Sequence, residues 1–121
     1  MASVLLVEDS YDVAQPLMRV LQYAGHMVEW AGHGQAALRS VETTKPDYIV
    51  LDLNMPAMDG EEFLTHLRRN PELSCVKVIA YTGQDSVPAA RLADLGVSQV
   101  LLKGSTDPET LLSALQGAPC A

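Results

Sequence analysis

The run Tyr48-Ile49-Val50-Leu51 is apolar at four successive positions, includes two β-branched residues and ends at Asp52. So short a run between turn signals suits a strand better than a helix. Apolar character on both faces marks a strand buried on both sides, as in a parallel sheet covered by helices. Sheets of that kind carry their ligand chemistry at the carboxyl ends of the strands. Asp52 stands at such an end. A plain structural reading competes, because Asn54, Pro56 and Asp59-Gly60 follow and an aspartate there serves equally well as a turn cap. The other strand ends decide between the two.

Ser3-Val4-Leu5-Leu6-Val7 forms a first short strand and stops abruptly at Glu8-Asp9. Ser10 or Asp9 caps the next helix, whose predicted inner stripe is Val13, Leu17, Val20, Leu21 and Ala24. Gly25 stops it. Pro16 is discordant, since an interior proline costs about 3 kcal/mol, so this helix either starts late or bends there. Met27 to Ala31 alternates like an edge strand with Glu29 toward solvent, and Trp30 falls on this strand, apart from Asp52. Gly32-His33-Gly34 turns the chain into a helix over Gln35 to Glu42, with Ala37, Leu38 and Val41 inward.

After Asp52, Asp59-Gly60-Glu61-Glu62 resembles a capping box, and Phe63, Leu64 and Leu67 form the buried face of the third helix. Asn70-Pro71 ends it. A strand from Val76 to Tyr81 closes in Thr82-Gly83. Ser86 caps an Ala-rich fourth helix with Ala89, Leu92, Ala93 and Leu95 inward, stopped by Gly96. A fifth strand, Gln99 to Leu102, ends at Lys103. Asp107-Pro108 opens a last helix docked by Leu111, Leu112 and Leu115. Five strands alternating with five helices predict an α/β doubly wound parallel sheet. With 121 residues and no visible linker, a single domain is expected, with its core at 3–116 and a short tail at 117–121.

A net charge of −7 sets the chain against nucleic acid and anionic membranes as partners. No apolar run approaches the ~20 residues of a membrane span, and no charged leader with a cleavage site opens the chain. Cys75 and Cys120 have no C-x-x-C or histidine companion, so free thiols and a cytoplasmic setting are expected. His26, His33 and His66 lack metal-ligand spacing and read as loop or surface residues.

In a parallel sheet the strand ends Glu8-Asp9, Asp52, Thr82 and Lys103 converge on one edge. Three carboxylates brought together repel, so either one stays protonated or a cation joins them. Oxygen ligands on a small, partly open site suit Mg²⁺. Thr82 then offers a hydrogen-bond donor and Lys103 a second positive charge. Those are the parts of a phosphoryl-transfer site, where the protein positions groups and neutralises charge. A carboxylate is the available nucleophile, and Asp52 stands between the acid pair and the Thr/Lys side.

From Val4 to Leu115 the sequence resembles the receiver domain of two-component response regulators, including the single-domain chemotaxis type. The likeness rests on Leu6-Val7-Glu8-Asp9, Leu51-Asp52-Leu53-Asn54-Met55-Pro56, Met58-Asp59-Gly60, Thr82-Gly83 and Lys103. It implies a flavodoxin-like five-stranded parallel sheet in the order 2-1-3-4-5 with five helices, and Asp52 as phosphoacceptor. It also implies Mg²⁺ held by Glu8, Asp9, Asp52 and the backbone carbonyl of Asn54, with Thr82 and Lys103 on the phosphoryl oxygens. A histidine kinase or phosphotransfer protein is the implied donor. The chemistry would be the domain's own phosphotransfer and slow dephosphorylation in the service of a signalling switch.

Two positions depart from the family pattern. Val100 stands where an aromatic is usual three residues before the lysine, and Gly104 replaces the proline that usually follows it. The phosphorylation site is thus complete while the usual relay to an output face is altered. Before Gly104 a trans bond is expected, because cis costs about 2.5–4 kcal/mol without proline. The alternative function is an interaction module that keeps the fold but does not cycle phosphate. A flavodoxin would want a Ser/Thr/Gly phosphate loop after the first strand, where Glu8-Asp9 stands. An aspartyl-nucleophile hydrolase would want its nucleophile after the first strand in a D-x-D pattern.

Overall fold

The computed structural model describes residues 3–52, 60–73, 76–82, 93–102 and 108–115. In chain order the elements are β1 (Ser3–Val7), α1 (Tyr11–Tyr23), β2 (Met27–Ala31), α2 (Gly34–Thr43), β3 (Tyr48–Leu51), α3 (Gly60–Arg69), β4 (Lys77–Thr82), β5 (Val97–Leu102) and α4 (Pro108–Ala114). All five strands are parallel, in the order β2-β1-β3-β4-β5. Most of the fourth helix predicted from Ser86 lies outside the described residues; its end, Ala93-Asp94, is helical. Cys75, Cys120, the capping residues Asp59 and Asp107, and the Lys103–Gly104 bond also lie outside them.

Side chains alternate strictly between two cores. Leu5, Val7, Ile49, Leu51, Val78 and Ala80 meet Ala37 and Val41 of α2 and Phe63, Leu64 and Leu67 of α3. Val4, Leu6, Tyr48, Val50, Ile79 and Leu101 meet Ala14 and Leu21 of α1 and Leu111 and Ala114 of α4. This is why β1 from Val4 onward and β3 throughout are apolar: each has a helix layer on both sides. The chain steps from β1 outward to β2, then back past β1 to β3. Crossovers of one hand therefore put α1 and α2 on opposite faces. The reversal leaves a crevice at the carboxyl ends of β1 and β3.

Several sequence expectations need correction. In α1 the buried residues are Ala14 and Leu21, with Leu17 and Met18 packed against the core, whereas Val13 is 37% exposed and Ala24 is exposed. Leu17 and Leu21 of the predicted stripe do face the core, while Ala14 and Met18 join them in place of Val13 and Ala24. A small Ala14 lets the helix approach the sheet where the bulkier valine would hold it off. The helix starts at Tyr11 with Pro16 inside it, so it does not start late. Pro16 and Asp12, whose carbonyl the missing N–H would have met, both lie on the solvent side.

Strands β4 and β5 run Lys77–Thr82 and Val97–Leu102, so the latter begins two residues before the predicted Gln99. Ala93, expected inward, is exposed. Gly25 (φ 95°) and Gly96 (φ 81°) take the left-handed conformation that ends a helix, as expected of those stops. His33 is more than a surface residue. It is the N-cap of α2, with Nδ1 accepting the Ala36 N–H at 3.1 Å.

Candidate functional site

The parallel ladders continue one residue past the strands and so fix two acidic backbones. Glu8 N–H donates to the Ala31 carbonyl at 3.1 Å, and Asp52 N–H donates to the Val7 carbonyl at 2.9 Å. Glu8 is 2% and Asp52 5% exposed, while Asp9 is exposed beside them. Carboxylate oxygens of Glu8, Asp9 and Asp52 lie within 4.8 Å of one another. The Glu8 carboxylate also accepts the Ser10 N–H at 3.2 Å, which ties it to the start of α1. The Glu8 carbonyl accepts the Trp30 indole N–H at 2.8 Å.

Buried negative charges this close are costly. At an effective dielectric of 20, two unit charges no more than 4.8 Å apart repel by at least about 3 kcal/mol. A divalent cation converts that repulsion into attraction. An all-oxygen donor set, two parts buried and one exposed, fits a hard cation that keeps some of its waters.

The other predicted site residues divide as follows. Register pairs Leu51 with Ala80 and Thr82 with Leu102, so β4 brings its terminal Thr82 backbone to the edge that carries Asp52. Lys103 follows Leu102 directly in sequence. The Thr82 side chain, Asn54 and Lys103 lie outside the described residues. Sequence reasoning missed Trp30. It lies on a different strand from Asp52, yet the carboxyl end of β2 is the same sheet edge, and the indole reaches Glu8. No side-chain pattern announced this contact, because the partner of the indole is a backbone carbonyl.

A family model for the response regulator receiver domain matches residues 4–116. The chain belongs to this family. Its place in two-component signal transduction follows, as does the general pairing of receiver domains with histidine kinases. Among solved structures, the receiver resembles the chemotaxis protein CheY4 of Vibrio cholerae, with TM-score 0.87 and 35% identity over 96% of this chain and 97% of that one. The Mn(2+)-bound form of response regulator Rcp1 is similar at TM-score 0.80 and 26% identity, covering 95% of this chain and 90% of that one. A response regulator receiver protein of Anaeromyxobacter is 34% identical over 108 residues, or 88% of this chain and 44% of that protein. The chain spans 28–44% of the length of curated relatives such as this one and the mycobacterial PrrA proteins. Among the described residues, no helix is long and apolar enough to cross a membrane.

Proposed function

We propose that this chain acts as one receiver domain that takes a phosphoryl group from a phosphohistidine onto Asp52 and thereby switches its protein contacts. The observation that carries this reading is the convergence of Glu8, Asp9 and Asp52 at the β1–β3 crevice, two of them buried. Mg²⁺ is the proposed cofactor, a choice supported by the all-oxygen donor set and by the Mn(2+)-bound relative. Glu8, Asp9, Asp52 and the Asn54 carbonyl would hold it. When bound, the cation neutralises the carboxylates and the phosphoryl oxygens that approach Asp52.

In the transfer itself an Asp52 carboxylate oxygen forms the new O–P bond as the N–P bond of the donor histidine breaks. The imidazole leaves with that electron pair and takes up a proton. Thr82 donates its hydroxyl hydrogen to a phosphoryl oxygen, and Lys103 balances the charge of the phosphoryl group. The donor is a histidine kinase or phosphotransfer protein, and the setting is cytoplasmic. Intact-mass spectrometry after incubation with acetyl phosphate and Mg²⁺ should show one added phosphoryl group that hydroxylamine removes. No acyl phosphate with either acetyl phosphate or a phosphohistidine donor would leave the non-cycling interaction module as the better reading.

Asp9→Asn removes one of three carboxylates from the cluster. Loss of a residue that merely orients a ligand costs 10- to 100-fold in metal affinity, so loss of a ligand's charge should cost at least about tenfold. Titration calorimetry with Mg²⁺ checks this, and unchanged affinity would count against Asp9 as a ligand.

The altered relay predicts a confined response. Val100 is 37% exposed on β5, short and stiff at χ1, with no ring to swing between two poses. A phosphoryl group shifts a conformational equilibrium only through its differential interaction with the two states. Backbone amide shifts on adding beryllofluoride and Mg²⁺ should therefore be large around Asp52 and Gln84 and small at Val100 and across 89–95. Comparable shifts in both regions would defeat this expectation.

A further inference from the structure

Glu8 is held to β2 by two hydrogen bonds of different origin. Its N–H donates to the Ala31 carbonyl as part of the ladder, and its carbonyl accepts from the Trp30 side chain at 2.8 Å. The carbonyl belongs to the planar peptide unit that joins Glu8 to Asp9. Fixing it sets the plane of that unit, and with it the relative direction in which the two acids leave the chain.

The indole is itself positioned from two sides. Trp30 pairs in register with Leu6, so its ring must pass along the sheet edge to reach Glu8. Gly32 leaves the room, since a Cβ there would lie 3.3 Å from Trp30 Cζ2 and 3.5 Å from Cη2. Tyr11, the first residue of α1, packs against the ring edge-on, with centroids 5.0 Å apart and planes at 66°. The circuit then closes through Ser10, whose N–H donates to the Glu8 carboxylate. Side chain and main chain of one acidic residue are thus both secured, one by the start of α1 and the other by the ring that α1 supports.

We infer that Trp30 is a positioning residue for the Glu8–Asp9 pair, acting through the Glu8 carbonyl, and that cation binding at the cluster is registered at its indole. This rests on the metal-binding reading above. The indole N–H, not the bulk of the ring, tunes the site.

Trp30 is the chain's one tryptophan, so biosynthetic replacement by benzothienylalanine exchanges this N–H for sulfur and changes no other position. Mg²⁺ calorimetry on the unaltered, benzothienyl and Trp30→Phe chains, with metal-free melts on each, forms the test. A net neutral hydrogen bond corresponds to roughly a two- to tenfold change, and both altered chains should bind Mg²⁺ more weakly by that factor. In the unaltered chain, Trp30 emission should titrate with the calorimetric midpoint, and Asp9→Asn should displace that midpoint. A purely structural ring would lower the melting temperature and leave affinity alone. Equal affinity in a folded benzothienyl chain would overturn the inference while the metal reading stood. Absence of Mg²⁺ binding by the unaltered chain would overturn the metal reading, and the inference with it.

Discussion

Asp52→Asn is expected to abolish acyl phosphorylation, with no residual label on Glu8 or Asp9. Strand order supplies the reason. β3 lies between β1 and β4 in the sheet, so the residue after its last position is flanked by the acid pair on one side and by the strand ending in Thr82 on the other. Glu8 and Asp9 follow β1, one strand farther from the strand that ends in Thr82. Glu8 is also buried, with its carboxylate engaged by the Ser10 N–H. Asparagine keeps the size of the side chain and the backbone bond from position 52 to Val7, but a neutral amide oxygen is a far poorer nucleophile than a carboxylate. Intact mass after acetyl phosphate and Mg²⁺ reads the outcome, and a melt of the same sample verifies the fold. Label undiminished on the folded variant would remove Asp52 from its role.

What could be read from the chain follows from what each signal depends on. β1 and β3 were legible to the residue because burial on both faces writes itself into unbroken apolar runs. The acidic cluster was legible because parallel topology turns strand-end residues, far apart in sequence, into neighbours. Leu17 and Leu21 of α1 were legible, but its first inward position was misjudged because Val13 outranks Ala14 in hydrophobicity, while close approach to the sheet selects the smaller side chain. Trp30 and Arg68 were invisible for a different reason. Their described hydrogen bonds go to backbone carbonyls of other elements, and every residue carries the same carbonyl whatever its side chain. Nothing in the partner's identity announces the contact.

Arg68→Ala is expected to destabilise the fold by about 2–4 kcal/mol, a large share of the ~5–15 kcal/mol that holds an ordinary domain together. Arg68 belongs to the basic last turn of α3, where a solvated charge would be the ordinary expectation. Instead it is half-buried, with Nε donating to Leu95 O at 2.9 Å and Nη2 to Gly96 O at 2.9 Å. Nη1 donates to Val76 O at 3.1 Å and, at longer range, to Leu73 O at 3.4 Å. One planar fork thus joins the end of α3 to the approaches of both β4 and β5. Burial pushes the guanidinium below its ordinary pKa, the mark of a cation held partly out of water.

Arg68→Lys should recover less than half of the loss, because an ammonium is a compact point donor and cannot span the same acceptors. Gly96→Ala should also destabilise: φ is 81°, and a Cβ would lie 2.8 Å from Arg68 Nε. Exposed Arg69→Ala is the control, expected within about 0.5 kcal/mol of the unaltered chain. Urea denaturation measures all four, and an Arg68→Ala loss no larger than that of Arg69→Ala would refute the role. Mg²⁺ affinity of folded Arg68→Ala should stay unchanged, because the acids stand on β1 and β3 at the opposite end of the strands from the carbonyls that Arg68 holds.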